Sequence, residues 1–278
     1  MVRRDLSPSP LPSSPPLDGN PTQAKKMDIL YIVGNGSKHD NAELRWSLRS
    51  LARYGRNVAR VLVAGCPPAW LSDDVERVEV PDVDLPGKKN RSIVNCVLEA
   101  VCPFDLKGDF IFACDDVFLV EPVDFDRYPL YVDADGLPAA LPDGCGTSFD
   151  ELLVATRQFL LDRGAPIFRF QTHAFCRMSA DVIRANESLL RSTVTDSVRG
   201  LEILSLVGNL TLKARPDTPL TWRKDVKFGD DDFREAVLRD PKRRGQFSVS
   251  DKTFASAEFL AFMAANYGEP CRYERSAS

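Results

Sequence analysis

Histidine is scarce in this chain: 278 residues contain two, His39 and His173. A multi-histidine zinc centre is therefore excluded, and no Cys/His arrangement has zinc-site spacing. No CxxC pair occurs among the seven cysteines, Cys66, Cys96, Cys102, Cys114, Cys145, Cys176 and Cys271. Their odd number, and the apolar runs that hold several of them, read as free thiols in a reducing compartment, so a cytoplasmic setting is expected. No apolar run approaches the ~18–20 residues of a membrane span, so none is expected. Positive charge is also short: 36 Lys and Arg against 40 Asp and Glu leave a net charge of −4. That balance disfavours a general polyanion-coating protein but allows a local basic patch. There is no Walker A motif, no GxGxxG and no internal repeat. What is present is an ordinary globular composition, 44% hydrophobic and 27% charged. It is enough for a sizeable core in one α/β-sized domain with extensions.

The first 26 residues, MVRRDLSPSPLPSSPPLDGNPTQAKK, are dense in Pro and Ser. They carry too little apolar surface to offset their ordering entropy and read as a disordered tail. Residues 27–278 are expected to form one domain. Asp28–Gly34 reads as a buried strand that ends in the turn Gly34-Asn-Gly-Ser37. The Asp40/Glu43 spacing of a capping box places a helix start near Asp40. Leu44, Leu48 and Leu51 form its buried stripe. Strands are expected at Val58–Ala64, Val75–Val80 and Asp109–Cys114, with a helix over Lys89–Val101 facing the core through Ile93, Val97 and Val101. This alternation predicts an α/β fold, a mostly parallel sheet flanked by helices. Beyond Val120 the alternation fails. Tyr128–Gly146 reads as irregular, Ser148–Arg163 as a helix and Phe168–Cys176 as a strand. Further helices are expected at Ala180–Leu190, Asp231–Arg239 and Ala255–Tyr267. The C-terminal half is thus expected to be irregular and helical structure built onto the same sheet.

The sharpest chemical signal is Asp115-Asp116, at the end of the buried strand Asp109–Cys114. Ligands of open α/β sheets bind outside the carboxyl ends of strands. Adjacent carboxylates there repel each other unless something compensates, and Mg²⁺ or Mn²⁺ bridging to substrate phosphates does so. The competing reading is a solvated turn or an N-cap. The Gly34–Ser37 turn has two readings as well, a backbone cradle for phosphate or a plain strand-to-helix turn. Arg45 and Arg49 lie one helical turn apart and suit an anion or a solvated face; Arg53 and Arg56 read as solvated. His173 is either a core histidine or a metal-binding or catalytic group. Asp251 is a metal ligand, a base or a helix cap. Asp230–Asp232 reads as a cap and Lys242–Arg244 as a solvated patch that would also suit a phosphate-bearing acceptor.

Several of these segments resemble one family. Asp40-Asn-Ala-Glu-Leu-Arg-Trp-Ser-Leu-Arg-Ser-Leu51 resembles the D-N-x-E-L-R-[YW]-S-L-R-S-[IL] segment of Stealth-type sugar-phosphate transferases and of related small bacteriophage glycosyltransferase-like proteins. Pro67-Pro-Ala-Trp-Leu71 resembles the family's P-x-W-L element, Lys89-Asn90 precedes a helix as it does there, and Phe112-Ala-Cys-Asp-Asp-Val-Phe118 resembles its acidic motif. The likeness covers about Asp28–Val123; beyond it rest His173 and the late strand Phe247–Asp251. A Trp-Val-Asp-Gly element of the family is replaced by Tyr31-Ile-Val-Gly-Asn-Gly36.

The resemblance implies a GT-A-like, Rossmann-like fold and a glycosyltransferase that moves a sugar from a nucleotide-sugar donor, a UDP-sugar above all, to a hydroxyl. Asp115 and Asp116 would hold Mn²⁺ or Mg²⁺. Gly34, Asn35, Gly36, Asp40, Asn41, Glu43, Arg45, Arg49, Lys89 and Asn90 would join Asp115 in the donor site, and His173, Asp251 and Asp116 would be catalytic. The acceptor is open between a hydroxymethylated base of phage DNA, reached through Lys88–Arg91 and Lys242–Arg244, and a glycan or small molecule. If the protein is viral, the compartment is the host cytoplasm. No obligate protein partner is expected. The alternatives are hexose-1-phosphate transfer and a non-catalytic nucleotide-sugar-binding protein.

Overall fold

The computed structural model describes residues 25–85, 88–133, 135–141, 147–195, 200–223, 226–229, 233–238 and 245–275. Residues 1–24 of the expected tail, the acidic run 230–232 and the basic run 242–244 lie outside the described residues.

The apolar run after the tail forms β1, Met27–Val33. It is followed by α1 (Ala42–Tyr54), β2 (Gly55–Arg56), β3 (Val58–Gly65), β4 (Val75–Glu79), α2 (Lys88–Val101) and β5 (Asp109–Cys114). Short strands β6 (Val117–Leu119), β7 (Val123–Asp124) and β8 (Leu130–Val132) come next, then α3 (Ser148–Leu161) and β9 (Cys176–Ser179). The central sheet has the order β4-β3-β1-β5-β9, parallel except for the β5–β9 pair. Alternation along β1 decides which face each residue serves. Met27, Ile29, Tyr31 and Val33 pack with Leu44, Leu48 and Leu51 of α1, while Leu30 and Ile32 pack on the opposite face with Val94, Val97 and Val101 of α2. Burial on both faces is why this strand reads as an unbroken apolar run. Ile93, expected in the core, is half-buried, and its neighbour Val94 is buried in its place.

The chain runs outward from β1 to β4 and then returns to lay β5 on the other side of β1. The carboxyl ends of β1 and β5 therefore flank a topological switch point, where an open α/β sheet leaves a crevice. At the same edge β3 closes tightly: Gly65 has φ 112°, and a Cβ there would stand 2.2 Å from the Val33 carbonyl oxygen.

The remaining elements are α4 (Ala180–Ala185), α5 (Glu187–Thr195), α6 (Ile203–Ala214), β10 (Leu220–Trp222), β11 (Lys227–Phe228), α7 (Glu235–Leu238), β12 (Gln246–Val249), α8 (Asp251–Phe254) and α9 (Ala257–Tyr267). Three expectations change. The stretch expected to be irregular contains β8, which is buried and pairs in parallel with β10. The strand expected from Phe168 starts only at Cys176, because His173 takes φ 46° and breaks the extended path. The single helix expected at Ala180–Leu190 is two, α4 and α5, parted at Asn186. The helix expected at Ala255–Tyr267 is α9, and the short α8 precedes it. Of the helix expected at Asp231–Arg239, the described part is α7. Helix α6 carries no sequence signal: Ile203–Leu212 are all buried, so there is no polar face to set a period. It lies so close to the 168–175 segment that a Cβ on Gly208 would sit 2.6 Å from the Phe170 ring.

A separate aromatic cluster joins Phe118 of β6, Phe228 of β11, Phe247 of β12, Phe254 of α8 and Phe259 of α9, with Trp46 of α1 packed against it. Each fully buried ring contributes about 1.5–3 kcal/mol. The cluster fastens β11, β12 and α8 beside the crevice.

Candidate functional site

Beyond Val33 the chain exposes Gly34, Asn35 and Gly36. Neither glycine has a positive φ, and a Cβ on Gly36 would meet nothing within 4 Å. The fold itself would accept a side chain at either position, so the bare backbone here leaves room for something outside the chain. The expected capping box does not form. Asp40 and Asn41 both take left-handed backbone, φ 52° and 54°, and Asn41 stands at the N-cap of α1 without a side-chain cap. Ser37 organises the turn instead. Its Oγ accepts from the N–H groups of His39 (3.2 Å) and Asn41 (2.9 Å) and donates to Glu43 Oε2 (3.0 Å). Non-glycine residues held in left-handed backbone cost energy and cluster at functional sites. His173 is another of them, at the same edge.

Asp115 and Asp116 form the turn between β5 and β6. Burial pushes the Asp115 carboxyl up to about 7, helped by the charges of Asp116 and Glu43 and opposed by Lys89. Burial and the same acid pair push the neighbouring Cys114 thiol well above its ordinary value. Asp116 Oδ2 accepts from Ser248 Oγ at 3.1 Å and lies 4.0 Å from Lys227 Nζ. Antiparallel pairing of β6 with β12 puts Ser248 opposite Val117, and parallel pairing of β11 with β12 puts Lys227 opposite Ser248. Neither Ser248 nor Lys227 stands out in the sequence. Only this pairing, remote along the chain, brings them to the acid pair.

Three carboxylates, Glu43 of α1 together with Asp115 and Asp116, thus act on one another near the cations Lys89 and Lys227. Among the described residues no three His, Cys, Asp or Glu side chains are grouped to hold a metal ion. That does not fit a closed zinc cage. The adjacent pair alone does fit Mg²⁺ or Mn²⁺, which takes one or two carboxylates and completes its shell with water and substrate phosphate.

His173 and Asp251, expected as possible third ligands, complete no such group among the described residues. Asp251 opens α8 behind the N-cap Ser250, and its side chain is 83% exposed and 3.2 Å from Lys38 Nζ. It lies on the rim. His39 lines the same rim, with its ring stacked on Phe254 at 4.6 Å. β9 runs antiparallel to β5 with Cys176 opposite Phe112, so the half-buried His173 just before β9 lies at the edge that carries Asp115.

Lys89 and Asn90 lie in the first turn of α2. Arg91, expected in a basic segment, is buried and donates to the Val194 carbonyl, and Lys88 pairs with Asp82 at 3.5 Å. Arg45 and Arg49 are turned to the C-terminal segment. Arg45 Nη1 and Arg49 Nη2 donate to Glu274 Oε2 at 2.9 and 2.8 Å, and Arg49 Nε donates to Oε1 at 2.6 Å. Arg49 Nη1 also donates to the carbonyls of Tyr267 and Gly268, and the Arg45 guanidinium lies 4.2 Å from the Trp70 ring centre. The family-like Arg and Trp positions are thus engaged with one another and with Glu274. The structure brings Glu43, Lys89, Asp115 and Asp116 together and gives Arg45 and Arg49 a different partner.

Compared with known protein families and with curated proteins, the chain matches none. Among the described residues, no helix is long and apolar enough to cross a membrane. The described cysteines are free thiols.

Proposed function

We propose that the chain is a glycosyltransferase of GT-A-like architecture that uses a nucleotide-sugar donor and Mn²⁺ or Mg²⁺. The observation that carries this reading is the adjacent acid pair at the carboxyl end of β5, whose Asp115 carboxyl is raised by burial and by Asp116 and Glu43, beside the bare Gly34–Gly36 backbone at the end of β1. Asp115 and Asp116 would hold the ion, which when bound neutralises charge on the departing nucleoside diphosphate. Lys89 and Lys227 add fixed positive charge beside the pair. The N-terminus of α1, which no side chain caps, and the backbone of Gly34, Asn35 and Gly36 suit the diphosphate, with Asp40 and Asn41 shaping the turn between them. Ser37 orients Glu43. His173 is the candidate acceptor of the proton from the attacking hydroxyl, with Asp251 the rim alternative. Burial of Arg91 and pairing of Lys88 remove part of the phosphate track that a DNA acceptor would need, which favours a glycan or small hydroxyl acceptor.

The test is release of nucleoside diphosphate from a panel of UDP-, GDP- and CDP-sugars with Mn²⁺, with products weighed by mass spectrometry. The expected result is hydrolysis of at least one donor and, with acceptor, a product heavier by one sugar. A product heavier by a sugar phosphate would establish phosphoryl transfer instead. Binding of a donor without any turnover would establish a non-catalytic binding protein.

A further inference from the structure

The Phe168–His173 segment meets two described pieces of chain, one ending at Trp222–Arg223 and one beginning at Val226–Lys227. At the far end the Phe168 and Trp222 rings meet edge to face, 6.0 Å apart. At the near end Val226 N–H donates to the Thr172 carbonyl at 3.3 Å, next to Lys227 and its partner Asp116. Five residues of extended chain span at most about 18 Å, which bounds the separation between the Phe168 backbone and His173, next to the Thr172–Val226 contact.

Trp222 is 55% exposed, the one aromatic among the large exposed apolar residues described. A single exposed apolar residue needs no explanation by itself. This one is held rigidly. It is in register with Val132 of β8, the following Arg223 N–H donates to the Val132 carbonyl, and the Arg223 guanidinium lies 4.7 Å from the Tyr131 ring centre. Between the two ends, Gln171 Oε1 and Arg169 Nε are buried without a hydrogen-bond partner.

We propose that Trp222, backed by Phe168, is an outer subsite that stacks a sugar ring of a glycan acceptor; this rests on the glycosyltransferase reading. A pyranose offers an apolar C–H face to an indole and keeps its hydroxyls free for hydrogen bonds. The net charge of −4 and the burial of Arg91 speak for a neutral glycan over a nucleic acid.

The test is calorimetric titration with cellotetraose, maltotetraose and chitotetraose, and with UDP, GDP, CDP and ADP plus Mn²⁺, against wild type, Trp222→Ala and Trp222→Phe. At least one tetrasaccharide should bind wild type, about tenfold or more weakly to Trp222→Ala, and nearly as well to Trp222→Phe. Nucleotide binding should be the same in all three. No tetrasaccharide binding, or equal binding by Trp222→Ala, overturns the subsite. Absence of binding of every one of UDP, GDP, CDP and ADP with Mn²⁺ in wild type overturns the glycosyltransferase reading instead, so the two failures are distinct.

Discussion

Asp115→Asn should yield a protein that is more stable than wild type and at least about 100-fold less active. The Asp115 carboxyl is pushed up to about 7 by burial and by Asp116 and Glu43, against an ordinary value of about 3.9. Between those values the unfolded chain has released its proton and the folded chain keeps it. Stability therefore falls as pH rises from about 4 to 7. Asparagine has no proton to lose. At pH 8 in EDTA the variant should be more stable by on the order of 2–4 kcal/mol, with the two proteins converging near pH 4. Urea melts at both pH values read the difference. A variant no more stable than wild type at pH 8 would mean the acid pair is already compensated within the chain. Stability given up at a site in exchange for activity is the expected mark of function.

Glu274→Ala should have the opposite pattern. Glu274 is 7% exposed and holds Arg45 and Arg49 together. Around it, the Ser72 N–H donates to the Tyr273 carbonyl and the Arg275 N–H to the Trp70 carbonyl, which stitches this segment to the β3–β4 connection. Burial raises the Glu274 carboxyl, but hydrogen bonds from Arg49 and the Cys271 N–H outweigh that and hold it below the ordinary range. Its stabilisation is therefore present above about pH 4.3 and is lost as pH falls through the lower folded value. Removing one partner of a mostly buried pair costs about 3 kcal/mol. The melting midpoint in urea should fall accordingly, and nucleotide binding by the remaining folded protein should not change. Weakened nucleotide binding at unchanged stability would place Arg45 and Arg49 back in the donor site.

The parts of this fold that the sequence makes legible are those with a period. β1, α1, β3, α2 and β5 each carry an apolar run or stripe, and the acid pair stands where a buried strand must end. What stays hidden has no local signature. α6 is buried all round and offers no polar face. β6 and β11 are too short to read, yet their pairing with β12 delivers Ser248 and Lys227 to Asp116. Asp40 does not cap α1, because it and Asn41 take left-handed backbone in a turn that Ser37 holds, a product of the turn and not of composition. Glu274 lies 229 residues from Arg45, so nothing near either residue hints at the other.

The most direct measurement of the central claim is calorimetric titration of UDP, GDP, CDP and ADP into wild type, Asp115→Asn and Asp116→Asn, each with Mn²⁺ and with EDTA. One nucleoside diphosphate should bind wild type only with Mn²⁺, and neither variant should bind it under either condition. Equal binding in EDTA, or undiminished binding by either variant, would contradict the assignment of the acid pair as the metal and diphosphate site.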